Sequence, residues 1–287
     1  MRGLARAYRI APHHSSAIVV KRNLLLKTFV PTKLLSASTF GRWVLDYLVL
    51  GNGYLERRDN MLGRPMEMAP VLGVYTRVGI EEGHYWFVTD MRAPHAFEPG
   101  SVFHIAEPDL AQEIYGMPDY LSALQSSLLN EAATLFRRRY YQNGSHAGFI
   151  LYATDAELDD EDADGLEEAL QGTKGVGNFR NLFLHVPGGK KDGLQLIPIG
   201  EAAAKDEFLG IKNTTRDDML AAHRVPPQLL GVVPANAGGF GDVEKAADVF
   251  FRNEIEPLQA RFLELNDWLG VEAVRFRPYD LLSAVAA

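Results

Sequence analysis

The sequence predicts an α+β protein. Residues 1 to about 115 mix a helix-periodic run with short segments rich in β-branched and aromatic residues. Beyond residue 118 come three long stretches with apolar residues at three- and four-residue spacing. Between the first two of these lies a compact stretch of strand-like segments and turns, from about residue 147 to 200.

Taken in order, residues 38–50 read as a helix, because Phe40, Val44, Leu45, Leu48 and Val49 share one face and "GNG" stops the run. "YLERRDNMLGRP" reads as a strand, a turn and a partner segment. "GVYTRVG", "HYWFVTD" and "SVFHIAE" have strand composition. Pro118 and Asp119 open a long helix whose apolar stripe is Leu121, Leu124, Leu128, Ala132, Leu135 and Phe136, with Asn143-Gly144 as its C-terminal cap. At 1.5 Å per residue it would be roughly 36 Å long. The compact stretch offers strands at "GFILYAT", "NLFLHV" and "LQLIPI" and an acidic helix start at Asp159. A second helical run covers residues 201–223. A third starts at Asp242, a good N-cap, and runs through Val243, Ala246, Ala247, Phe250, Phe251, Ile255, Leu258, Phe262 and Leu265 to Trp268. Pro257 removes a backbone donor inside that run and should bend or split it. "EAVRFRP" reads as a closing strand.

The chain has 287 residues, 47% hydrophobic and 23% charged, which is a globular composition. With 29 Lys+Arg against 37 Asp+Glu the net charge is -8, so no chain-wide basic field grips phosphates, and contact with nucleic acid must be local or loose. The absence of cysteine excludes disulfides, thiolate nucleophiles and sulfur-based zinc sites. The N-terminal residues have no apolar core of a secretory signal, and the run at residues 40–55 is short and broken by Arg42 and Asp46, so a soluble chain is expected.

Enzyme motifs fail on inspection. "GGKKDG" at residues 188–193 lacks the Walker spacing, and "GSHAG" has His146 where a nucleophile elbow needs serine. "DEDADGLEEALQ" matches the start of a calcium loop through Asp160, Asp162, Asp164 and Gly165. It has Gln171 where the bidentate glutamate belongs and Glu167 at the apolar position, and an Asp159-capped helix explains the same residues. The histidines show no metal-ligand spacing, and no cofactor is expected. "RRRYY", with Arg137, Arg138 and Arg139, is the one basic run with aromatic neighbours.

The order of parts, and the wording of "HHSSAIVVKRN", "LVLGNGYLE", "EIYGMPDYLSALQSSLLNEAATLFRRRYYQNGSHAGFILY", "GNFRNLFLHVPGGKKDGLQLIPI" and "AAHRVPPQLLGVVPANAGGFGDVEKA", resemble the phage portal protein family of PBSX type over almost the whole chain. The resemblance implies a portal-type subunit: an α/β wing (1–118), a first stem helix (119–145), a clip (146–200), a second stem helix (201–225), a tunnel loop (226–241), and a kinked spine helix with the wing's closing strand (242–287). Family members carry more chain before "HHSS", and little or no crown is expected after "RFRPYD". The resemblance further implies a homo-oligomeric ring, usually of twelve copies, at one capsid vertex. The ring conducts double-stranded DNA without sequence specificity and docks the terminase large subunit, the major capsid and scaffolding proteins, and head-completion or tail-connector proteins. Its location would be the virion, and the host cytoplasm during assembly, with no membrane and no catalysis.

Within that scheme Pro226, Pro227, Gln228, Pro234, Ala235, Asn236, Ala237, Gly238, Gly239, Phe240 and Gly241 would line the channel. No residue from 226 to 241 is charged, which suits a sleeve that lets DNA slide, since each fixed cation on a phosphate adds a salt-dependent anchor. Arg137, Arg138 and Arg139 of one copy are expected to face Asp217 and Asp218 of the next, and Lys190, Lys191 and Asp192 to meet partners of the clip. The alternatives are a head-tail adaptor ring and, from another class, a metal- or phosphate-dependent enzyme.

Overall fold

A computed structural model describes residues 1–142, 149–153, 194–198, 204–232 and 242–279. They fall into two compact units, Met1–Leu128 with Arg216–Ala287, and Leu129–Thr215.

The first unit begins with α1 (Arg2–Ala7), α2 (Pro12–Thr28) and α3 (Ala37–Leu50). Pro12 stands where its missing N–H costs nothing, at the start of α2. Sequence periodicity did not reveal α2, because polar His14, Lys21 and Thr28 are buried alongside Ala17, Ile18 and Leu25. Helix α3 is capped by Ser36, whose side chain accepts from Thr39 N–H, and ends at Gly51 in the left-handed conformation (φ 68°). Next come β1 (Asn52–Asp59), β2 (Pro65–Val71), β3 (Thr76–Val78), β4 (Tyr85–Phe87), β5 (His95–Ala96) and β6 (Val102–Ala106). One antiparallel sheet has the order β2-β1-β6, with Leu55 opposite Pro70 and Phe103, and a second has the order β3-β4-β5.

Residue 242 opens a rod of three parts: α6 (Val243–Phe250), a π-helical turn (Phe251–Ile255) and α7 (Glu256–Leu269). Asp242 caps it by accepting from Lys245 N–H at 3.0 Å. The wide turn lies directly before Pro257, where Glu256 N–H donates to the carbonyl of Phe251, five residues back. That extra residue accommodates a proline that can neither donate to the preceding turn nor fit beneath its carbonyl. So helical turns follow one another without a gap from Val243 to Leu269.

Helices α2, α3 and α7 close on the inner face of the β2-β1-β6 sheet. Phe40, Trp43, Leu55, Met68, Ile105, Phe262 and Leu265 are almost wholly buried there. Phe29 stacks on Phe40 at 4.0 Å, and Trp43 meets Phe262 edge-on at 4.8 Å. The expected closing strand is not one. Residues 274–277 run extended beside the end of α2 and make a single bridge, Phe29 with Phe276, flanked by Val30 N–H to Arg275 O and Arg277 N–H to Thr28 O.

Helices α4 (Leu124–Gln142), preceded by a 3-10 turn (Asp119–Ala123), and α5 (Ala204–Ala222) contribute to both units. In the second unit β7 (Phe149–Ala153) pairs antiparallel with β8 (Leu194–Pro198), as the first and last expected strands of the compact stretch require. "NLFLHV" lies outside the described residues.

Asn52 ties the start of β1 to the segment that follows β6. It is buried, donates to Gly116 O and accepts from Gly116 N–H, both at 2.8 Å. A Cβ on Gly116 would lie 2.1 Å from the Gly51 oxygen and 2.3 Å from the Glu107 nitrogen, all backbone. Gly116→Ala should therefore destabilise by about 3 kcal/mol or more. Gly210→Ala, inside α5 with nothing within 4 Å of its Cβ, should stabilise by roughly 0.5–1 kcal/mol. Urea unfolding of the two variants beside the parent chain checks both signs.

Candidate functional site

Helix α4 carries its chemistry in an unusual order. Its buried positions are Ser127 in the first unit and Asn130 and Ala133 in the second, and with Ala123 of the 3-10 turn before it they make a small and polar series at helical spacing. Ser126 Oγ donates to Asp218 of α5 at 2.8 Å, and Asn130 Nδ2 donates to Thr215 Oγ1 of α5 at 2.8 Å. The leucine stripe read from the sequence lies elsewhere. Leu121 and Leu124 are half-buried, but Leu128, Leu129, Leu135 and Phe136 are between 39% and 49% exposed. So α4 uses hydrogen bonds toward α5 and presents its large apolar side chains to the exterior.

Arg137, Arg138 and Arg139 are exposed. Lys212 of α5 adds to that positive cluster, and burial, then the charge of Arg137, pulls its pKa down. Asp217 pairs with its neighbour Arg216 at 2.8 Å, while Asp218 accepts from Ser126. The stretch of α4 from Ser126 to Arg138 spans roughly 18 Å. Copies placed side by side would need that much stagger for the three arginines to reach Asp217 and Asp218.

At the end of α5 four elements meet in an ion cluster within the first unit, with Lys21 and Glu254 buried and Arg224 and Asp119 half exposed. Glu254, from the π turn, accepts from Lys21 Nζ of α2 at 2.5 Å and from Arg224 Nε at 2.6 Å and Nη2 at 3.0 Å. Arg224 Nη2 also donates to Asp119, in the 3-10 turn before α4, at 2.5 Å. The Lys21 and Glu254 side chains are only 7% and 8% exposed. Burial pushes the Glu254 carboxyl up, but Arg224 and Lys21 outweigh it and hold it below its ordinary value. Burial lowers Lys21, with Glu254 opposing. Beside the cluster His14 Nδ1 and His223 Nε2 share a hydrogen bond of 2.9 Å, with the Tyr120 ring 4.5 Å from that of His14. Burial lowers His14 to about 4 and, with Lys21 adding to it, His223 to about 3, so both are neutral near pH 7.

Sequence reasoning missed His14, Lys21, Arg224 and Glu254. A signal for Glu254 existed: a carboxylate four residues after Phe250, inside the apolar series of the rod. Lys21 likewise interrupts "AIVVKRNLLL".

Of the expected channel residues, Pro226, Pro227 and Gln228 are half-buried. They do not belong to an open loop, because residues 227–230 form a 3-10 turn whose Leu229 and Leu230 pack on the main core, ended by Gly231 at φ 70°. Pro234, Ala235, Asn236, Ala237, Gly238, Gly239, Phe240 and Gly241 lie outside the described residues. So do Lys190, Lys191, Asp192 and the acidic stretch 160–171. Among the described residues no three His, Asp or Glu side chains gather as a metal site, and no helix is long and apolar enough to cross a membrane.

The family model described as "Phage portal protein" matches residues 19–284. The chain belongs to the phage portal protein family. It is 53% identical over 279 residues to the probable portal protein of Escherichia phage P2, covering 97% of this chain and 81% of that one. Its fold is similar to that in the neck of a gene transfer agent particle. The empty particle, computed with C6 symmetry, gives a TM-score of 0.70 at 21% identity over 100% of this chain and 87% of that one. The native particle, computed with C12 symmetry, gives 0.68 at 21% identity over 99% and 86%. The HK97-family phage portal protein from Corynebacterium diphtheriae gives 0.65 at 19% identity, covering 99% and 97%. These likenesses match the α+β portal-type fold expected from the sequence.

In this portal-family chain, Glu254→Gln should lower the unfolding free energy by about 3–5 kcal/mol, since it leaves Lys21 buried without its counter-charge. The double variant Lys21→Met with Glu254→Leu should recover most of the loss, because apolar groups of similar volume replace both ions. Urea denaturation of the single and double variants reads the difference.

The histidines set a pH dependence. His14, His104 (lowered by burial to about 4) and His223 take up protons on unfolding below pH 6.5, so their contribution falls as pH drops from 6.5 toward 4. Asp46 acts oppositely: burial, against a backbone bond from Gly73, raises it to about 6, so the fold gains on acidification from pH 6 toward 3.8. The histidines outnumber it, and the melting temperature should fall from pH 6.5 to 4. Asp46→Asn should steepen the fall by about 1.4 kcal/mol per pH unit. Melting curves at half-unit pH steps measure both slopes.

Proposed function

We propose that this chain forms the portal ring of a tailed phage: identical copies around a channel that conducts double-stranded DNA during packaging and ejection. The observation that carries the reading is the exposed series Leu128, Leu129, Leu135 and Phe136 on α4. A helix that spends its small and polar face on its own chain and leaves its largest apolar groups outside is built for a further contact. A head-to-tail contact between identical copies closes into a ring when the rotation allows. The C12 symmetry of the related neck supports twelve copies.

Within the ring, residues 233–241 line the channel, carrying no charge at which phosphates would stick. Residues 226–232 are their structured base. The stretch 146–200, with Lys190, Lys191 and Asp192, meets the terminase large subunit and later the head-completion or tail-connector proteins, while the wing meets the major capsid and scaffolding proteins. The chain is a structural conduit at the capsid vertex, without catalysis of its own.

Electron microscopy of the purified chain should show rings with a central hole. Leu129→Glu and Leu135→Glu should each abolish them while shifting the stability of the single copy by about 0.5 kcal/mol or less, because both positions are already exposed. Rings that survive both changes would remove α4 from the contact, and a parent chain that stays monomeric would remove the ring.

A further inference from the structure

Arg224 is, among the described residues, the one non-glycine with a left-handed backbone, at φ 56°. Its place in the chain shows why the conformation is needed. Val225 N–H donates to Leu220 O and Arg224 N–H to Ala221 O, both at 3.0 Å, and Leu220 and Val225 are both buried. This is the helix ending in which the left-handed position is normally glycine, since a Cβ there crowds the backbone. A side chain kept at such a position costs strain, and strain that persists at one site points to a function for the side chain.

The guanidinium has one. It spans the gap between Glu254 of the π turn, which it grips with Nε at 2.6 Å and Nη2 at 3.0 Å, and Asp119 ahead of α4, 2.5 Å from Nη2. The planar fork can engage two carboxylates in fixed directions, which a lysine ammonium cannot do. Val225 and Pro226 follow, and then the turn at residues 227–230.

We propose that Arg224 is a positioning residue: its guanidinium pins the end of α5 between the start of α4 and the π turn of the rod, and so sets the direction in which residues 225–232 leave α5. The importance of that direction rests on the channel reading above, because residues 225–232 are the base of the proposed lining. The geometry itself is internal to one copy.

The chain has no cysteine, so two can be introduced as unique labelling sites. Nitroxides on Ser38→Cys, at the exposed start of α3, and Val232→Cys, in full-length chain diluted with unlabelled chain, report one distance within a copy by pulsed electron resonance. The parent should give one narrow distribution. Arg224→Gly keeps the favoured backbone of the helix ending and removes the tie, so the distribution should broaden at least twofold while the melting temperature changes little. Arg224→Lys, with the charge but not the fork, should fall between. Lys21→Met, which destabilises the body but leaves the Arg224–Glu254 contact, should keep the distribution narrow.

An unchanged distribution in Arg224→Gly, or equal broadening in Lys21→Met, would overturn the assignment. Microscopy of the parent chain tests the channel reading separately: a narrow distribution without rings sinks the ring and supports the positioning.

Discussion

One buried carboxylate decides how the body of this chain is joined. Glu254 and Lys21 are buried against each other, Arg224 reaches Glu254 from a half-exposed position, and among the described residues no other acid is buried. Taking such ions out of water is costly, so neutralising Glu254 would leave the buried Lys21 without its counter-charge. These side chains come from α2, the end of α5 and the π turn, with Asp119 brought in through Arg224. The fold thus routes four separate stretches of sequence through one electrostatic point. The π turn matters here because Pro257 prevents an ordinary helical turn before it, and the wider turn is the segment that presents Glu254.

Helix α4 follows a complementary rule. Small and hydroxyl or amide side chains face α5, where Ser126 and Asn130 fix its register through directional bonds, and leucines face away. Hydrogen bonds specify alignment but add little net stability, whereas apolar area adds stability without direction. A subunit that must first align two helices and then associate with copies of itself would divide the two interactions in this way. The arginines 137–139 at the far end of α4, with Lys212, add a like-charged cluster that favours an acidic neighbour over another copy of itself at that height.

Most of the regular elements were legible in the sequence where one residue type carries the signal. Helix α3 and the rod from Asp242 have apolar periodicity and real caps, and the β1-β2 hairpin has its turn residues. Helix α2 was illegible because its buried face includes His14 and Lys21, whose partners His223 and Glu254 lie more than two hundred residues away. No local pattern can announce such pairing. The alternation in "VRFRP" looked like a strand, but it has only the end of α2 as a neighbour and so forms a single bridge. The uncharged stretch from residue 226 read as one loop because proline and glycine suggest turns without saying where they pack. Leu229 and Leu230 draw its first part onto the core.

That division within the uncharged stretch has a physical consequence for a conduit. A segment that meets moving DNA must offer little attraction, yet its position must not wander, and absence of charge alone supplies only the first property. Here the charges sit at the two ends instead. Arg224 precedes the stretch and is locked to Glu254, while Asp242 follows it and caps the rod that carries Glu254. The ion pair closes the chain between residues 224 and 254 into a loop, with the buried Glu254 at its far end. Strong electrostatics are therefore kept away from the proposed channel and used where low polarity makes them effective. The same chain can then be loose toward its cargo and firm toward its own scaffold.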